Sequence, residues 1–411
     1  MTRCYIEPMQ TEGYGRPVQT FVRAYLVALF LALIATGTLM IKGLREWGYG
    51  DWLINYQGGF IRRGLMGEIC LLLAKPLHTD PIYFVALIAM TCYLILFWRV
   101  WQLLPASSWR WWVIALLTSP ITLAFPVISR TSFRKEILYY AILGTLIVWL
   151  RRNGEDRTKD TRLAVALSIA SLLLVLSHEP LIEYFFTYGT SALLICLSDP
   201  KRVFRIIIVP ALLCGIAIPF VITHFGSPEA VSKICASIGT PDVSTCSQAV
   251  RIVAQTKQEA LSDIALFTRK YHYYRNYSIA ALLALIPIIG AYRELSRQPE
   301  SRRSLRILLG AACIALPWSF TLFHYGIDWG RWIHMHTMSI CLLLLLIDAN
   351  RKRDGEKVQM EHMAPWKHAF VAVFLVLYAT CWSVPGVKDK PRFGYLSLAN
   401  RIVHWNGSLT N

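Results

Sequence analysis

Eleven mostly apolar stretches recur along the chain, near residues 24–42, 82–98, 111–128, 137–150, 163–177, 181–197, 206–224, 278–292, 305–323, 333–347 and 367–384. Each approaches the roughly 20 residues that a helix needs to cross a hydrocarbon core about 30 Å thick, the shorter ones by borrowing polar flanks. The pattern predicts an all-α, polytopic membrane helix bundle of about eleven transmembrane helices, folded as a single integral membrane domain over residues 1–411 that includes an outer loop at 225–277. Residues 65–77 are moderately apolar but carry Glu68 and end at Lys75-Pro76. They are expected to form an interfacial or re-entrant helix rather than a span. His178-Glu179-Pro180 separates two apolar runs that can equally be one broken helix. The first run is long, lacks a small-residue cleavage site and follows about twenty polar and mixed residues, so it reads as a retained helix.

Charge sets the orientation. Arginine and lysine crowd the short loops at 151–162, 201–205, 293–306 and 351–357. With eleven alternating spans these loops share one side, which the positive-inside bias makes cytoplasmic, together with the amino terminus. The carboxyl-terminal tail then lies outside, in a multi-pass protein of the cytoplasmic membrane. The opposite side receives 51–64, 129–136, 178–180, the loop 225–277 and 324–332. Arg62, Arg63, Arg130, Arg134, Lys135 and Arg331 stand there against the bias, and a bound polyanion supplies a reason.

The chain is 55 % hydrophobic and has a formal charge of +17, with a mean hydropathy of +0.44. Its basic residues are spread through short loops instead of one soluble patch, which argues against nucleic acid and for the lipid bilayer, anionic lipid or a lipid-linked phosphate as partner. Most of the ten cysteines lie in or beside apolar runs, where they act as small hydrophobes. Cys235 and Cys246 lie together in the polar loop and are expected to form a disulfide if that loop faces an oxidising compartment.

The segment 51–64, DWLINYQGGFIRRG, is the densest in chemistry. A carboxylate at Asp51 can accept a proton from a sugar hydroxyl; the alternative is a helix-terminal acid paired with Arg45 or Arg62. Asn55, Tyr56, Arg62 and Arg63 join it as substrate-binding candidates, since neighbouring arginines grip phosphate with forked donors; they can equally snorkel to lipid headgroups. Arg134 and Lys135 open the fourth helix, where a helix amino end favours anions, with Glu136 neutralising a neighbour. His178 and Glu179 are candidate acid/base groups or a clamp on Arg134 or Arg331. No second histidine follows at zinc-motif spacing, so no metal site is expected there. In HYGIDWGRW, His324 and Arg331 are binding candidates and Asp328 a catalytic one; Asp328 and Arg331, three apart, share a helix face. His334 and His336 read as satisfied polar residues. The tyrosine-rich end of the loop, 271–277, reads first as an interfacial anchor for the next helix.

The layout resembles the C-type superfamily of membrane glycosyltransferases (GT-C): an acid in the first outer loop just after helix one, here Asp51; an outer interfacial helix, here 65–77; and a larger outer loop after helix seven, here about 225–276. In that superfamily the first-loop acid is often one of a pair, and Asp51 has no adjacent acid. The strings DWLINYQGGFIRRG and DWGRW also resemble bacterial envelope-polysaccharide membrane proteins. The resemblance implies a membrane glycosyltransferase that takes a sugar from a polyprenyl-phosphate-linked donor to a lipid or glycan acceptor on the outer face. No cofactor is required by this reading, and a divalent cation is the one it leaves open. A lipid-linked glycan polymerase, or a transporter or flippase of a lipid-linked anion, is the competing expectation.

Overall fold

A computed structural model describes residues 15–42, 47–104, 110–129, 133–353 and 365–385, and among them every regular element is helical. The expectations for the amino terminus, Arg130 and the carboxyl-terminal tail beyond residue 385 lie outside the described residues. In chain order, α1 (Gly15–Lys42) leads through α2 (Trp47–Gly50) and a 3-10 turn, Asp51–Leu53, to α3 (Leu65–Ala74), α4 (Pro81–Leu103), α5 (Trp111–Thr118) and α6 (Phe125–Ile128). Then come α7 (Glu136–Asn153), α8 (Asp160–Ser177), α9 (Leu181–Leu197) and α10 (Pro200–Thr223). The polar loop carries α11 (Pro228–Ser237), α12 (Gln248–Arg251) and α13 (Lys257–Lys270), and α14 (Tyr273–Leu295), α15 (Pro299–Tyr325), α16 (Trp329–Arg353) and α17 (Pro365–Thr380) complete the order.

Seven of the described helices are long and apolar enough to cross a membrane, instead of the expected eleven: Val18–Leu39, Pro81–Leu103, Arg157–Ser177, Pro200–Thr223, Tyr273–Leu295, Pro299–Tyr325 and Trp329–Asn350. Leu181–Leu197 and Ala369–Thr380 are apolar but shorter, and α7 has 18 residues ending in Arg151-Arg152-Asn153. The apolar run at 111–128 is not one helix. Pro120 forces Ser119 into extended backbone (ψ 134°), ending α5, and Pro126 sits in the first turn of α6. The turn between them keeps its polar groups bonded, with Thr122 Oγ1 donating to the Leu116 and Ser119 carbonyls. At His178-Glu179-Pro180 the chain makes two separate helices.

The bundle is built around α16, of which 89 % of the apolar window is buried, whereas α1, α10 and α15 each bury 22 %. An apolar helix hidden on all sides is a core helix, and apolar helices left exposed suit a lipid solvent. Helix α16 contacts α7, α9, α14 and α15; α4 packs along α7, α10 along α8, and α17 along α5, with Tyr378 of α17 donating to the Leu283 carbonyl of α14. Helix α3 is about 15 Å long at 1.5 Å per residue, too short to span. It packs against α4 and the Asp51–Leu53 turn.

Chain direction fixes two ends. The starts of α7, α9 and α16 and the finishes of α8 and α15 gather at one end, with the polar loop. The finishes of α7, α9 and α16 and the start of α15 gather at the other, among the arginine-rich loops.

Candidate functional site

Four segments far apart in sequence meet at the first end: 51–64, 133–136, 178–179 and 328–331. The turn after α2 is fixed from inside: Trp52 Nε1 donates to the Phe133 carbonyl at 2.8 Å, and Gly67 lies so close that a Cβ there would stand 2.0 Å from the Ile54 carbonyl oxygen. Tyr56 N and Gln57 Nε2 both donate to the Glu68 carboxylate at 2.9 Å. Arg62 N reaches the His224 carbonyl at 3.1 Å, tying the segment to the finish of α10. Arg63 and Phe133 hold left-handed backbone, φ 69° and 67°. For residues with side chains this costs of order 1–3 kcal/mol each and marks places where the surroundings dictate the backbone.

The side chains form two ionic groups joined by His178. In the first, Arg63 forks onto Glu179 (Nε to Oε2 2.9 Å, Nη2 to Oε1 2.8 Å), Arg62 Nη1 stands 3.6 Å from Glu179 Oε1, and Lys135 Nζ donates to the Arg63 carbonyl at 2.7 Å. In the second, Asp328 Oδ2 takes Arg134 Nη1 at 2.7 Å and Arg331 Nη1 at 3.0 Å, while Arg331 Nη2 also meets Glu136. His178 Nε2 lies 3.3 Å from Arg331 Nη2 and 3.7 Å from Glu136, and its Nδ1 lies 3.7 Å from Glu179. Asp51 completes the set, 7 % exposed, with its Oδ2 buried and without a hydrogen-bond partner among the described residues. Five cations thus face four carboxylates, a net positive charge.

Electrostatics fix the protonation states. Burial alone would raise the Asp51 pKa, but Lys135, Arg63 and Arg134 hold it well below the usual carboxylate range. Burial pushes the Lys135 ammonium down to about 8 against the pull of Asp51. Burial would likewise raise Glu179, yet Arg63 and His178 keep it far below its usual value. His178 is pushed down by burial and then by Arg63, favouring the neutral ring. A cavity of about 20 Å3 adjoins the cluster, lined by Arg134, Glu136, Arg331, Tyr140, Phe133 and His334; by volume it has room for one water.

The polar loop covers this group. The Cys235–Cys246 disulfide is present, and α12, just beyond it, packs on α2 and on the Asp51–Leu53 turn. Gly58 abuts Ala230 of α11 so closely that a Cβ would lie 2.6 Å from its backbone.

Of the sequence candidates, Asp51, Arg62, Arg63, Arg134, Lys135, His178, Glu179, Asp328 and Arg331 are brought together. Three are not. Asn55 is buried, and its amide binds Ser237 Oγ of α11 (2.9 Å), a scaffold contact. Tyr56 stacks on Phe60, which packs on Phe220 and His224 in an aromatic ridge. His324 is exposed in the last turn of α15, edge-on to Tyr325. Glu136 is the participant the sequence undervalued: it serves Arg331 from 195 positions away, and an acid at the first position of an otherwise apolar helix was the available signal. No group of three or more His, Cys, Asp or Glu suited to a metal occurs among the described residues. His334 donates through Nδ1 to the Ile121 carbonyl (2.6 Å), and His336 sits between Tyr188 (2.7 Å) and Ser319, as satisfied polar residues do.

No curated protein and no solved structure matches the chain. A family model does, over residues 21–281, and that span takes in the Asp51, Arg134 and His178 segments of the cluster. Apolar helices and ionic end together make this a multi-pass membrane protein, and the chain belongs to the family described as "Uncharacterised membrane protein Rv1490".

Proposed function

We propose that the protein is a membrane glycosyltransferase that takes a sugar from a polyprenyl-phosphate-linked donor on the outer face of the cytoplasmic membrane, for envelope polysaccharide or glycolipid synthesis. One observation carries the reading: five cations from three separate segments converge at one end of an apolar bundle, together with a buried carboxylate that has an unpartnered oxygen. Buried charge in a membrane chain is costly and marks function, and a phosphate at headgroup depth is the ligand that forked arginines suit.

In this reading Asp51, ionised at neutral pH, takes the proton of the acceptor hydroxyl. That oxygen bonds to the anomeric carbon, and the bond from the anomeric carbon to the phosphate oxygen breaks with its electron pair going to the phosphate. Arg62, Arg63, Arg134 and Arg331 stabilise the leaving phosphate by exchanging carboxylate partners for it, and Lys135 by exchanging the Arg63 carbonyl. Glu179, His178 and Asp328 orient those cations in the resting protein. The same chemistry serves a lipid-linked glycan polymerase, which differs only in its acceptor.

The test is transfer from a synthetic polyprenyl-phosphate sugar by purified protein in nanodiscs. Asp51→Asn should stay folded and lose transfer by about 10²–10⁴-fold; wild-type transfer at equal protein level removes Asp51 from the mechanism.

The second reading, a flippase for a lipid-linked anion, is favoured by the buried hydrogen-bonded string in the bundle interior, where Tyr184 meets Ser319 (2.5 Å), Ser319 meets His336 and His336 meets Tyr188 (2.7 Å). Movement of a fluorescent lipid-linked phosphate across proteoliposomes, intact in Asp51→Asn, would select it.

A further inference from the structure

The other end of the bundle holds a cavity of about 350 Å3 between the finishes of α7, α9 and α16 and the start of α15. That volume falls in the range of small-molecule sites. It is about 24 Å from the ionic cluster, counting the sixteen residues of α16 from Arg331 to Ile347 at 1.5 Å each. The two sites therefore share helices but no atoms.

The wall is mixed in charge: Arg151 and Arg303 against Glu155 and Glu300, with Ser301 and Asn350 between them. Arg303 is steadied by one bond, Nη2 to the Ser198 carbonyl at 2.9 Å, and forms no ion pair among the described residues. Ser301, 4 % exposed, lines the cavity, and its hydroxyl makes no hydrogen bond among the described residues. It belongs to the first turn of α15, a helix of 27 residues whose N-cap, Gln298, supplies no side-chain cap. The positive end of the helix dipole at such a start favours an anion. Arg152 and Arg302, next to Arg151 and Arg303 in sequence, do not line the cavity.

We propose that this cavity binds a phosphate ester whose remaining part carries hydroxyl or ammonium groups: the phosphate against Arg151, Arg303 and the start of α15, and the hydroxyl or ammonium groups against Glu155 and Glu300. A glycerophospholipid headgroup and a soluble phosphate ester share this chemistry. The inference does not rest on the glycosyltransferase reading.

The test uses the purified full chain in detergent, titrated separately with phosphatidylglycerol and with glycerol 3-phosphate, with bound ligand counted by native mass spectrometry and followed by thermal stability. One saturable site is expected. Saturation by phosphatidylglycerol alone assigns the lipid source, and saturation by glycerol 3-phosphate assigns the soluble one. Arg151→Gln with Arg303→Gln should weaken binding at least tenfold, while Arg152→Gln with Arg302→Gln, the same charge change outside the wall, should leave it within twofold. Ser304→Phe, which keeps every charge and fills the cavity, should block binding and guards against misfolding of the double variant. Absence of a saturable site for both ligands, equal loss in both double variants, or unchanged binding in Ser304→Phe would overturn the proposal.

Discussion

Arg134 and Arg331 lean on the same oxygen of Asp328, so each holds its fork in place by sharing a carboxylate. Replacing either by lysine keeps the charge and loses the bidentate geometry. The expected result is a rise of about tenfold in the KM for donor with a smaller change in kcat, measured in nanodiscs; full activity in both single variants would move weight to a structural role. Lys135 gives a pH prediction. Its folded pKa, pushed down to about 8, lies below the ordinary lysine value, so between these limits the unfolded chain binds a proton that the folded chain lacks. The site's contribution to stability therefore rises with pH across that window, while transfer should fall through pH 8 as the phosphate loses a cation. Lys135→Arg should remove that alkaline fall. Asp51 and Glu179 act in the same direction in a more acidic window: their folded values are depressed, so their contribution is present above the ordinary carboxylate range and fades as pH drops below it. These charged residues were legible in the sequence because a membrane chain tolerates few of them. The surroundings of Asn55, Tyr56 and His324 were not legible, because polarity alone does not say whether an amide, a phenol or an imidazole faces a neighbouring helix, an aromatic ridge or solvent.

Among the elements, the bridged loop carries the clearest expectation. The Cys235–Cys246 bond joins positions eleven apart in sequence, and such a small ring restrains the open loop by about 2–4 kcal/mol. Reduction, or Cys235→Ser with Cys246→Ser, should accelerate proteolytic cleavage near Thr240–Thr245 and raise hydrogen exchange at Asp51–Leu53, beneath α12. Unchanged exchange at that turn would separate the loop from the site. The long apolar helices were readable from composition alone, since nothing but burial in lipid or core allows twenty such residues in a row. The break at Ser119 was written in Pro120 and Pro126 but was outweighed by the apolar run around them, and the length of α9 depended on where its partners end.

At the scale of the whole molecule, the sorting of ionic cluster and arginine-rich loops to opposite ends predicts opposite sides of the membrane. Ser262→Cys in α13 and Arg297→Cys between α14 and α15 are both exposed positions. An impermeant thiol reagent should label the first in intact cells and the second only after permeabilisation; labelling of both in intact cells would refute the sidedness on which an outer-face reaction depends. The ends were legible from the positive-inside bias, whereas the central place of α16 was not, because its apolar residues look the same facing lipid or protein. That central place bears on how the protein is made. Arg331 and His336 have their partners at Glu136, His178, Tyr188 and Ser319, all of which leave the ribosome earlier. During synthesis these partners emerge before the helix that meets them, so α16 should pass from the translocon to polar groups already inserted rather than face acyl chains alone. A chain stopped after Gly326 should insert and then be cleared by membrane proteases, its acids still awaiting the helix that never arrived.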